Sequence, residues 1–185
     1  MEISNEAKLP SQFGDFKIKS FKEGIKEHLV IYKEPFGEIP LIRIHSECLT
    51  GDALGSLKCD CGDQLQYALN LINKNGGMVI YLRQEGRDIG LFNKVNAYNL
   101  QDKGLDTVEA NHQLGFEADM RNFDIVSDIL KHFNISKIKL LTNNPKKVNE
   151  IKNIEIVERI PIKIKENKYN EKYLQTKKEK MGHLL

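Results

Sequence analysis

The sequence predicts an α/β fold: a layered α/β/α domain built on a mixed sheet, with antiparallel strands near the N-terminus. Three observations carry this. Strand-like and helix-like segments alternate from Leu41 to Ile164, as in α/β domains. Met78-Val79-Ile80-Tyr81-Leu82 is a continuous apolar run, the pattern of a strand covered on both faces. The first 45 or so residues hold only short strand-like runs separated by turn residues, which places antiparallel members there. A chain of 185 residues, 40% hydrophobic and 29% charged, suits one soluble domain over 1–185 with a lysine-rich tail from about 165.

Phe16-Lys17-Ile18-Lys19 alternates as a half-buried strand does, and Leu29-Val30-Ile31-Tyr32 is a second β-rich run. After turn signals at Pro35 and Gly37-Glu38-Ile39-Pro40, Leu41-Ile42-Arg43-Ile44 reads as a strand that delivers His45, Ser46, Glu47 and Cys48 at its end. Leu65, Ala68, Leu69 and Ile72 make one helical face that ends at Gly76-Gly77. The buried strand Met78–Leu82 then runs into Arg83-Gln84-Glu85-Gly86-Arg87-Asp88, at the strand end where α/β sheets place functional loops. Leu91, Val95 and Tyr98 fall on one face of a helix ending near Gly104. The stretch from Asp88 to Arg121 is mostly not strand, and is expected to cover the active edge of the sheet. Val126, Ile129, Leu130 and Phe133 mark a further helix, capped by Asn122 or Asp124. Ile138–Thr142 is a strand, and Asn143-Asn144-Pro145-Lys146-Lys147 is a helix start fit to receive a phosphate. Ile154 to Ile164 reads as strand, and the tail from Lys165 as a solvated helix or partly ordered arm.

All three cysteines, Cys48, Cys59 and Cys61, lie within one short stretch. Three thiolates suit one Zn²⁺ ion, and three protein ligands with an open fourth position is the pattern of a working zinc. Other readings stay open from spacing alone: His45 as a fourth ligand of a structural zinc, a strained Cys59–Cys61 disulfide, or three unrelated buried thiols. With 28 basic against 26 acidic side chains, the balance calls for neither nucleic acid nor membrane as partner. The polar N-terminus resembles no signal peptide, so the cytoplasm is the expected compartment.

Taken together, Arg43–Asp52, Cys59-Asp60-Cys61-Gly62, Arg83–Arg87, Ala110–Gly115, Thr142–Lys147 and the ending Lys180–Leu185 resemble GTP cyclohydrolase II, over nearly the whole chain from about Lys8. The resemblance implies an enzyme that opens the imidazole ring of GTP, releases C8 as formate and cleaves pyrophosphate, at the entry to riboflavin synthesis. It implies one Zn²⁺ per chain on Cys48, Cys59 and Cys61, Mg²⁺ with the triphosphate, and a homodimer. It places Tyr98 beside the zinc-activated water, Arg121 as nucleophile towards the α-phosphorus and Asp119 as proton acceptor. A guanidinium stays protonated, so elementary chemistry makes Arg121 a clamp on transition-state charge instead. Nucleotide contacts carry over to Arg43, Ile44, His45, Ser46, Glu47, Gln64, Glu85, Gly86, Arg87, Thr107, Thr142 and Lys147, with the Glu85 carboxylate suited to the N1 and N2 donors of guanine. Leu82 and Asp88 depart from residues found in some members (His and Asn), and the second synthase domain that some members carry is not expected. The rival readings are a related cyclohydrolase with a different product and a non-catalytic module that binds zinc and nucleotide.

Overall fold

The computed structural model describes residues 1–184, and its centre is one eight-stranded mixed sheet. Its antiparallel part comes from β1 (Glu2–Ile3), β2 (Ala7–Ser11), β3 (Gly14–Glu23) and β4 (Lys26–Lys33). Both β1 and β2 pair along β3, β3 pairs with β4, and β4 joins β6 (Gly77–Leu82). The parallel part runs in the order β6, β5 (Leu41–Ser46), β7 (Lys137–Leu141), β8 (Glu155–Ile160).

Apolar strands force helices onto both faces. Met78, Ile80 and Leu82 of β6 join Ile42 and Ile44 of β5 in a core closed by Val126, Ile129 and Leu130 of α6 (Asp124–His132). Val79 points the other way, into a second core with Ala68, Leu69 and Ile72 of α2 (Cys61–Asn75). This is the layered α/β/α arrangement that the sequence predicts. Each fully buried Ile contributes about 1.5–3 kcal/mol, and truncating Ile129 to Ala would cost about 2–5 kcal/mol with its cavity. Gly76 and Gly77, at φ 75 and 125, take α2 into β6; a Cβ on Gly77 would lie 2.2 Å from the Leu41 carbonyl of β5.

The remaining helices are α1 (Leu49–Asp52), α3 (Glu85–Asp88), α4 (Gly90–Asp102), α5 (Thr107–Gln113), α7 (Pro145–Glu150) and α8 (Glu171–Met181). None of the described helices is long and apolar enough to cross a membrane.

Four expectations are corrected. On α4, Leu91 and Val95 are exposed and the buried side chains are Lys94 and Ala97, because its inner side faces a polar cavity rather than the core. The N-cap of α6 is Phe123, although the Asn122 side chain does accept from the Asp124 amide at 2.6 Å. Strand β8 stops at Ile160, where Pro161 follows and offers no N–H to a ladder. The tail is a helix, as one of the two expectations had it, but it is docked rather than solvated all round: Leu174, Thr176 and Lys177 of α8 are buried.

Candidate active site

The carboxyl ends of β6, β5 and β7 lie side by side, which is where open α/β sheets form their crevice. Strand β5 leads into Glu47 and Cys48, β6 into Arg83–Asp88, and β7 into Thr142–Asn144. The non-strand segment between β6 and β7 covers this edge, as expected, and brings Tyr98 of α4 and Thr107 and Asn111 of α5 to the same cavity.

The three thiols converge although they come from two segments. Cys48 precedes α1, Cys59 lies in the loop, and Cys61 opens α2. Their sulfurs fall within 4.8 Å of one another, and Cys48 and Cys59 are 3.7 Å apart. Two thiolates on a tetrahedral zinc at about 2.3 Å would stand about 3.8 Å apart, so the cluster fits that ion. Gly51 makes room for it, since a Cβ there would approach Cys59 Sγ to 2.8 Å. Cys48 is the most acidic of the three: the Cys59 and Cys61 thiols donate to it and the Lys94 ammonium lies 3.2 Å from its sulfur. All three cysteines are free thiols, so the disulfide alternative falls.

His45 is not a fourth ligand. Its Nε2 donates to the Asp52 carboxylate at 3.0 Å and its Nδ1 accepts from Arg43 at 3.5 Å, so a neutral ring satisfies both contacts. Burial holds the imidazole below its usual pKa, in keeping with that form. Asp52 also accepts from the Tyr81 hydroxyl at 2.7 Å and the Cys48 amide at 3.0 Å, which fixes the start of the thiol-bearing loop.

Beside the thiols the cavity is basic. Arg43 donates to the Leu141 carbonyl at 3.1 Å and to Gln64 at 2.6 Å. Lys147 donates to the Ile44 carbonyl at 2.8 Å, and Arg87 to the Ala118 carbonyl at 3.1 Å. None of these three cations has a carboxylate partner among the described residues, and Arg43 Nε and Arg87 Nη2 are buried with no acceptor. Desolvation pulls Arg43 down to about 10 and lowers Lys147 and Arg87 as well. Buried charge is costly unless it is paired, so these groups are set for an anion. Arg121 differs: its Nε and Nη2 grip Asp119 at 2.8 and 2.6 Å. Burial works against both charges, yet the pairing wins, raising Arg121 and lowering Asp119 to about 2.

Of the residues singled out in the sequence, Arg43, His45, Ser46, Glu47, Gln64, Glu85, Gly86, Arg87, Thr107, Thr142, Lys147, Tyr98 and Arg121 line this one cavity with the cysteines. Ile44 and Asp119 do not. The Ile44 side chain is core, and only its carbonyl reaches the site, through Lys147; Asp119 stands behind Arg121. The Tyr98 hydroxyl is 3.3 Å from Thr50 Oγ1, itself 3.8 Å from Cys48 Sγ, so Tyr98 belongs to the thiol end. The Glu85 carboxylate is held by the Leu49 amide on Oε2 at 2.6 Å and by Lys94 at 2.7 Å and the Gly86 amide at 2.8 Å on Oε1, so about one acceptor site, on Oε2, is left for a base. Sequence reasoning missed Lys94, Asn111, Tyr173, Lys177 and His183, which line the cavity too. A lysine in the middle of an apolar helical face was the available signal for Lys94; the tail residues carried none.

A three-thiol cluster that could hold a metal ion, sharing a basic crevice at the end of the parallel strands of a mixed sheet, marks an α/β protein with an enzyme-like cleft. The family model for GTP cyclohydrolase II matches residues 2–161. A GTP cyclohydrolase-2 of Campylobacter hominis is 70% identical over 185 residues, covering 100% of this chain and 96% of its own. Those of Campylobacter fetus subsp. fetus and Helicobacter pylori (strain Shi470) are 63% and 57% identical, again over 100% of this chain and 97% and 98% of theirs. The chain belongs to the GTP cyclohydrolase II family, hydrolases of riboflavin biosynthesis.

Proposed function

We propose that the protein hydrolyses GTP, opening the imidazole ring with release of formate and cleaving pyrophosphate, to leave 2,5-diamino-6-ribosylamino-4(3H)-pyrimidinone 5′-phosphate. The observation that carries this reading is the cavity itself: the buried cations Arg43 and Lys147 and the half-buried Arg87, all without carboxylate partners among the described residues, share it with a three-thiol cluster. A polyanion tail would meet the cations while the base meets the metal end. The soft thiolate set selects zinc over hard cations. Cys48, Cys59 and Cys61 would hold the zinc ion, which when bound would supply Lewis acidity and lower the pKa of a water towards neutrality. Mg²⁺ would travel with the triphosphate rather than in a protein cage.

The chain's own residues divide the work. Tyr98, held towards Thr50, donates or relays a proton at the opening ring. Arg121 holds the charge that develops at the α-phosphorus. Its tight pairing with Asp119 keeps the guanidinium protonated, which favours the clamp over a nucleophile. Asp119 orients that clamp, and its low pKa makes it a weak base. Arg43, Arg87 and Lys147 take the phosphates. The active form is a homodimer in the cytoplasm; exposed Leu91, Phe92 and Val95 on α4 support self-association.

Zinc-loaded protein incubated with GTP tests the reading, with formate and pyrophosphate assayed separately and products weighed by mass spectrometry. Both products are expected. Formate alone or an intact purine would mean an altered cyclohydrolase, and no turnover a binding module.

A further inference from the structure

The C-terminal helix belongs to the cavity. Tyr173, Lys177 and His183 line it together with Arg43, Arg121 and Lys147. They lie beyond the residues that the family model matches, which end at 161. Lys177 is only 8% exposed, and a lysine is rarely buried so far without a purpose for its charge. Asp60 accepts one of its three ammonium donors at 2.7 Å, and the Tyr173 ring lies 4.3 Å below the nitrogen. The helix is tied down at several points. Lys180 pairs with Asp106 and, at 3.3 Å, with Glu109 of α5, while the Leu184 amide donates to the Asn143 carbonyl at 2.9 Å. Both anchors belong to segments that carry cavity residues, Thr107 and Asn111 on one side and Thr142 on the other.

We propose that α8 completes the polyphosphate subsite, with Lys177 as a direct cation on the triphosphate. The proposal rests on the functional reading above, and extends the anion site from the three strand ends to the tail. Arg87, Arg121, Lys147 and Lys177, from four separate segments, all act on His183, which marks one focus of positive charge in the cavity. A group carrying several negative charges at that focus gains from each of them. Lys177 thus serves two partners: Asp60 holds it in place, and the triphosphate would meet it where it lines the cavity.

Lys177→Gln tests this in the zinc-loaded enzyme, because the amide keeps a donor for Asp60 and removes only the charge. The probes are the α,β-methylene analogue of GTP and inorganic tripolyphosphate, the latter measured by competition against the former. Both affinities are expected to fall by about 10- to 100-fold, the range for one lost charge-assisted hydrogen bond, and Lys177→Arg to recover most of the loss. A structural role through Asp60 would weaken the nucleotide and leave tripolyphosphate untouched, and that result overturns the proposal. So does a wild-type enzyme in which tripolyphosphate fails to compete. Thermal midpoint and zinc content, measured on each variant, separate misfolding from lost contact; should Lys177→Gln misfold, Lys177→Arg decides, both affinities staying near wild type if Lys177 meets phosphate, and a loss for the nucleotide with tripolyphosphate untouched counting against that contact. Wild-type protein that neither binds the analogue nor hydrolyses GTP would sink the functional reading itself, whereas active wild type with an unimpaired Lys177→Gln sinks only the role of α8.

Discussion

Lys177 Nζ stands 2.7 Å from Asp60 Oδ1, so the C-terminal helix is bonded to the one residue between Cys59 and Cys61. Asp60 also accepts from Gln64 Nε2 at 2.5 Å, and Gln64 in turn accepts from Arg43. Thiol loop, basic cavity and tail are therefore one polar network. Removing one member of a buried pair costs about 3–5 kcal/mol, since the remaining charge is left without a partner. Asp60→Asn is expected to release α8 while the sheet holds. Hydrogen exchange would show it as lost protection over Glu171–Met181 with β5, β6 and β7 still protected. Unchanged protection of α8 would mean that the pair does not hold the helix.

The thiol cluster gives a second prediction. Cys59→Ser exchanges a thiolate for a hydroxyl, a far weaker zinc ligand. Zinc content is expected to fall and formate release to stop, with the fold retained through its two apolar cores. Metal analysis showing a full complement in an active variant would remove Cys59 from the ligand set.

Much of this was legible in the chain. Strands β3 to β7, helix α2 and the helix start at Asn144 follow from period, glycine and proline, because local sequence alone dictates them. The cysteines and the strand-end residues were legible because chemistry-bearing types clustered where α/β folds keep their sites. What failed did so for a tertiary reason. Leu91 and Val95 look like a core face, yet α4 turns Lys94 inward to meet Cys48 and Glu85. Lys177 looks like one of many tail lysines, and only the fold places Asp60 against it.

The two ends of the cavity should be separable. Tyr98 contacts Thr50 beside the thiols, while Arg121 contacts Asp119 and Ser46. Tyr98→Phe is expected to slow formate release by about 100- to 10,000-fold and pyrophosphate release much less. Separate assays of the two products on the variant decide it. Equal losses, with no purine monophosphate accumulating, would put Tyr98 in the wrong half of the reaction.

The Asp119–Arg121 pair carries a pH signature. Asp119 drops from about 3.8 unfolded to about 2 folded, so its stabilising contribution is complete above about pH 4 and disappears as pH falls through 2. The shift corresponds to about 2 kcal/mol for this largely buried carboxylate. Urea unfolding of wild type and Asp119→Asn is expected to differ by that amount near pH 6, with the gap narrowing below pH 4. A gap independent of pH would assign the loss to packing.

His183 responds over a higher range. Burial, then the positive charges of Lys177, Arg121, Lys147 and Arg87, depresses its pKa to about 3, against about 6.5 in an undocked chain. Between those values the released tail binds a proton that the docked tail refuses. Docking is therefore fully favoured above about pH 6.5 and weakens as pH falls from there towards 3. Limited proteolysis of the C-terminal segment is expected to quicken from pH 7.5 to pH 5 in wild type. In His183→Gln, which has no proton to take up, the rate should stay level across that range once corrected for the protease's own pH profile. Bound tripolyphosphate should flatten the wild-type dependence as well, because an anion among the same four cations removes the repulsion that keeps the imidazole neutral. A steep profile that persists in His183→Gln would place the switch on another group.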